Sequence, residues 1–111
     1  MKLLHVLTAK SELIGQTEDR FDAHMLHLCR AVVVIHATMP DGNRVRSMIA
    51  LEKDGDYVNG NIIIHPQGAI VIRLNEMGAM AKQYYETITE IRTPKPGEME
   101  NILASAGGKA N

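Results

Sequence analysis

The alternation of apolar and polar positions changes its period several times along the chain. Residues 2–10, KLLHVLTAK, form an apolar run with a polar end and read as a strand. SELIGQ, around Gly15, reads as a connector. Thr17 suits a helix N-cap, and Glu18 and Asp19 would then occupy a first turn where the helix dipole favours acids. Phe21, Met25, Leu28 and Val32 follow at helical spacing, so the pattern predicts a helix from 17 to about 30. The β-branched run at 32–35 then turns the chain to strand.

Two hairpins are expected next. AVVVIHAT and RVRSMIALEK flank MPDGN, where Pro40 fits the first corner of a turn and Gly42 the left-handed residue that closes it. In this register Val33, Ile35 and Ala37 share a face with Val45, Ser47 and Ile49. Val34, His36 and Thr38 share the other face with Met48, Arg46 and Arg44. NIIIHPQGAIVIRL repeats the device around HPQG. It places Ile62 and Ile64 opposite Ile72 and Ile70 on the core face, and Asn61, Ile63 and His65 opposite Arg73, Val71 and Ala69 on the other. Asn75 caps a second helix, 75–92, whose buried stripe is Met77, Ala81, Tyr84, Ile88 and Ile91. The expected order is β-α-β-β-β-β-α, an α+β two-layer domain with an antiparallel sheet and two helices mainly on one face. It spans 1–92. The prolines and small residues of 93–111 predict a mobile C-terminal tail, in which MENIL forms one helical turn or docks on a partner.

Composition narrows this picture. The 111 residues suit one domain, and only 4% are aromatic, so the core must be aliphatic. A net charge of −1 provides no global field for a polyanion, so a nucleic-acid partner would need a local patch. One cysteine cannot make an internal disulfide. The N-terminal run, interrupted by His5, reads as a strand rather than a signal peptide, and no apolar run approaches the roughly 20 residues of a membrane helix. The expected location is the cytoplasm.

His24, His27, Cys29 and His36 invite a search for a metal or catalytic site. On a helix, at about 100° per residue, His24 and His27 stand about 60° apart and Cys29 about 140° from His24. His36 lies beyond the helix. Such a set does not converge as a zinc site. Cys29 then reads as a small core hydrophobe. Asp54 and Asp56 form a pair of the kind found in solvated turns. No nucleophile elbow, phosphate loop or zinc-protease motif is present. No catalytic residue, metal or cofactor is therefore expected. The more informative set is polar: His36, Thr38, Arg44 and Arg46, extended by Asn61, His65 and Arg73. On the open face of the sheet it either solvates the surface or binds an anion, a nucleic-acid backbone or an acidic protein.

The stretches TAK (8–10), MLHLCR (25–30) and PDG (40–42), followed by MI at 48–49, resemble the small H-NS-neutralising protein family of T-odd short-tailed coliphages. The resemblance covers roughly the first half of the chain. It implies a phage-encoded, non-catalytic host-takeover protein that binds the nucleoid silencer H-NS, with tRNA also linked to the complex. It supplies no contact residues. Two alternatives stand beside it: a small anti-defence or regulatory domain binding a nucleotide-like ligand through His and Arg, and a homo-oligomeric subunit of a larger assembly.

Overall fold

The computed structural model describes residues 1–20, 22–53, 55 and 58–92, and its longest strand carries a bulge. The strands are β1 (Lys2–Leu7), β2 (Glu12–Thr17), β3 (Leu26–Thr38), β4 (Arg44–Ala50), β5 (Ile62–Ile64) and β6 (Ile70–Arg73). A short 3-10 turn covers Val58–Gly60, and one helix, α1, covers Ala79–Arg92. The sheet is antiparallel and runs β4-β3-β2-β1-β6, with β5 paired to the first part of β3.

The helix expected over 17 to about 30 is not formed. Thr17 is the last residue of β2, opposite Lys2, and the chain re-enters the sheet at Leu26. The Thr17 hydroxyl accepts from the Asp19 amide at 2.9 Å, so the capping chemistry serves a turn instead. Leu26 and Leu28 are buried at strand spacing, and this pairing overrides the helical spacing of Met25, Leu28 and Val32. Met25 is exposed. Among the described residues there is one helix, not two. It starts at Ala79 rather than 75, because Asn75 accepts from the Met77 amide in a local turn. Met77, expected on the buried stripe, is exposed, whereas Ala81, Tyr84 and Ile88 are buried as expected.

Within β3, Ile14 pairs with Val32 and Gln16 with Cys29, so Arg30 and Ala31 together face the single residue Gly15. Arg30 takes a left-handed φ of 51°. One extra residue reverses the alternation of a strand. Leu26 and Leu28 therefore join Leu4 and Val6 in one core, while Val32 and Val34 join Leu3, Ile14, Ala50, Tyr84 and Ile88 in another. The helix covers the second core. The first part of β3, with Ile62 and Ile64 of β5, folds over the first. Glycine is required at 15, where an added Cβ would stand 3.0 Å from the Leu28 Cβ.

The register of the β3–β4 hairpin is the expected one: Val34 opposite Met48, His36 opposite Arg46, Thr38 opposite Arg44. Its turn closes through the Gly42 amide to the Met39 carbonyl at 2.9 Å, with Gly42 at φ 87°. The faces, however, are exchanged. The helix packs against the Val34 and Met48 side, and the Ile35, Val45 and Ile49 side is left exposed.

The second hairpin differs more. HPQG does turn, with the Ala69 amide donating to Pro66 at 2.9 Å, but β5 then pairs with β3 and β6 with β1. Val71 lies opposite Val6 and packs on the first core. Ile70 and Ile72, expected in the core, are 61% and 43% exposed. The reason is the partner strand: pairing to β1 fixes which face of β6 meets the core. The 93–111 tail with MENIL, Phe21, the Asp54–Asp56 pair and the Ile91 side chain lie outside the description.

Candidate functional sites

At the outer end of the β3–β4 hairpin, His36, Thr38, Arg44 and Arg46 share one face, as the register requires. Arg46 is tied to the helix: its Nε donates to Gln83 Oε1 and Gln83 Nε2 donates to the Arg46 carbonyl, both at 2.8 Å. Arg44 and Thr38 are exposed. The His36 Nε2 lies 2.7 Å from Glu12 Oε2. The other oxygen of Glu12 is 3.3 Å from Nε2 of the buried His5, without hydrogen-bonding geometry. One carboxylate on β2 thus stands between imidazoles from β1 and β3.

Sequence reasoning missed His5, Glu12 and Gln83. The available signal was the single histidine inside an apolar strand, LLHVL, because a buried polar side chain needs a partner.

The expected extension of this set does not assemble. Arg73 pairs with Leu4 and leaves the sheet on the opposite face from His5 and His36. His65 is an exposed residue immediately after β5. Asn61 lies elsewhere, in a cleft.

That cleft, of about 630 Å³, opens between the end of β2, the start of β3 and β5. Met1, Leu28, Ile62 and Ile63 line it with apolar surface, and Gln16, Glu18, Asp19, His27, Cys29 and Asn61 with polar groups. Because 26–28 is strand, His27 and Cys29 leave it on the same face, which a helix would have prevented. Asp19 Oδ2 accepts both the His27 backbone N–H at 2.8 Å and the ring Nδ1 at 2.9 Å. These bonds, the backbone one first, hold the Asp19 carboxyl below the usual range. The Cys29 Sγ lies 3.7 Å from the Met1 Sδ. His24 is exposed on the preceding loop. Among the described residues, no group of three or more His, Cys, Asp or Glu side chains is arranged to hold a metal ion.

No family model matches the chain, and no curated protein matches its sequence. No helix among the described residues is long and apolar enough to cross a membrane.

Proposed function

We propose that the chain is a non-catalytic binding protein whose contact surface is the outer end of the β3–β4 hairpin and whose partner is an acidic protein surface. The observation that carries this reading is the hairpin's two-sided exposure. On one face Arg44 and Arg46 stand beside Thr38 and His36. On the other, Ile35, Val45 and Ile49 are 42%, 40% and 44% exposed. β4 is also an edge strand, which offers unpaired backbone groups to a partner. Arginine forks suit carboxylates, and the apolar row supplies buried area.

The coliphage resemblance names H-NS as the partner and host takeover in the host cytoplasm as the role. Titration of purified H-NS with the wild type, Arg44→Glu and Ile35→Lys tests both points. Arg44 is the better charge probe, because changing Arg46 also breaks the Gln83 pair. Each variant should bind at least about tenfold more weakly, a loss of about 1.4 kcal/mol, with the melting temperature retained. Equal affinities would move the contact surface elsewhere, and no H-NS binding by the wild type would remove H-NS as the partner.

The nucleotide or RNA alternative would use the same arginines. The cleft does not favour it, since Glu18 and Asp19 line it and, among the described residues, no Arg or Lys does. A phosphate ligand at the hairpin would show a steep dependence on salt.

A further inference from the structure

We infer that residues 98–103 of the same chain dock along the open edge of β4 as an added parallel strand and so mask the hairpin. Among the described residues β4 is an edge strand. The Met39 amide donates to the Asn43 carbonyl, so the backbone groups of Asn43, Val45, Ser47 and Ile49 face β3. Those of Arg44, Arg46, Met48 and Ala50 then point to the open edge. One of them, the Arg46 carbonyl, already takes a donor from outside the sheet, the Gln83 Nε2 at 2.8 Å. A carbonyl oxygen keeps a second lone pair for a strand amide.

Matched charge and apolarity name the occupant. Residues 44–49 read RVRSMI and residues 98–103 read EMENIL. In parallel register Glu98 stands beside Arg44, Met99 beside Val45, Glu100 beside Arg46, Asn101 beside Ser47, Ile102 beside Met48 and Leu103 beside Ile49. Both acids fall on the arginine face, and Met99 and Leu103 fall on the face where Val45 and Ile49 are exposed. Antiparallel pairing can match both acids to both arginines only by running Ile102 and Leu103 past the strand, beside Gly42 and Asp41. The chain can reach. Gln83 is bonded to Arg46, and α1 continues nine residues beyond it to Arg92, about 14 Å of helix. The six residues from Arg92 to Glu98 span up to about 20 Å, enough to return to β4. A tether of that length holds the segment at an effective concentration in the millimolar range, on the order that weak contacts need.

Docking stands whatever the hairpin binds, whereas the masking of an acidic partner's site rests on the reading above. The test is amide hydrogen exchange, followed by nuclear magnetic resonance on the full chain without a partner. The outward amides of Arg44 and Met48 should exchange at least about tenfold more slowly in the wild type than in Glu98→Lys/Glu100→Lys. The inward amides of Val45 and Ser47 should not change. Arg44→Glu should also lose the protection, and adding Glu98→Arg to it should restore it. Equal exchange in the wild type and the double variant overturns the docking. Protection that falls on dilution overturns it as well, by assigning the strand to a second copy. With H-NS as the probe, Glu98→Lys/Glu100→Lys should bind more tightly than the wild type, and equal affinity would remove the masking. No H-NS binding by either protein would overturn the reading above and leave the exchange result standing.

Discussion

The Tyr84 hydroxyl donates a 2.8 Å hydrogen bond to the Arg30 carbonyl, tying the middle of α1 to the bulge of β3. The contact joins the fully buried ring of the helix to the residue where β3 reverses its faces. The bulge takes a carbonyl out of the regular ladder, and the phenol satisfies it.

Tyr84→Phe keeps the ring and leaves that carbonyl unpaired, so it should cost about 1–3 kcal/mol. At about 4–8 °C per kcal/mol for a domain of this size, calorimetry will resolve the change. Burial also pushes the Tyr84 phenol above its usual range. The neutral form is thus favoured in the fold, and the associated stability is complete below the ordinary tyrosine range of about 10. It is lost as pH rises above that range. Ultraviolet titration should show the Tyr84 phenol ionising only with unfolding, and ionisation of all three tyrosines in the ordinary range would contradict the burial.

Leu28→Ala should cost about 2–5 kcal/mol, because Leu28 is buried in the core shared with Leu4, Val6 and Leu26. Ile70→Ala should change stability by only about half a kcal/mol, because the side chain is mostly exposed. Urea unfolding of the two variants compares them directly. A larger loss at Ile70 than at Leu28 would restore the hairpin register that the sequence pattern predicts.

Gly15→Ala places a methyl 3.0 Å from the Leu28 Cβ and 3.2 Å from its Cδ1, and each Cβ is fixed to its own strand. Neither strand yields easily, so the substitution should cost about 1–3 kcal/mol, as overpacking does. A melting temperature equal to that of the wild type would show that β2 and β3 separate freely at the bulge.

Asp19 has its carboxyl held below the usual aspartate range by the His27 amide and ring. Its contribution is present above the ordinary range of about 3.9 and is lost as pH falls through the lowered value. The His27 amide resonance should therefore shift as Asp19 becomes protonated, in acid below that range, while Asp19→Asn removes the transition. Nuclear magnetic resonance between neutral pH and strong acid measures it, and an amide indifferent to pH would break the assignment.

The sequence by itself determined the features that short-range chemistry controls. Pro40 and Gly42 set a turn geometry that fixes the β3–β4 register, because hairpin register follows from the turn. The spacing of Ala81, Tyr84 and Ile88 marks a helical stripe that no strand could use. The cross-strand neighbours His36–Arg46 and Thr38–Arg44 followed from these local rules. Tertiary structure decided the rest. Residues 25–32 carry both a helical and an alternating pattern, and pairing with β2 and β5 selected the strand. The bulge at Arg30 then divided one alternation, Leu26, Leu28, Val32 and Val34, between two cores. Which face of β3–β4 the helix covers, and which face of β6 meets the core, depended on neighbours distant in sequence. His27 and Cys29 came to share a cleft for the same reason: a strand puts residues two apart on one side, and only long-range pairing made that segment a strand.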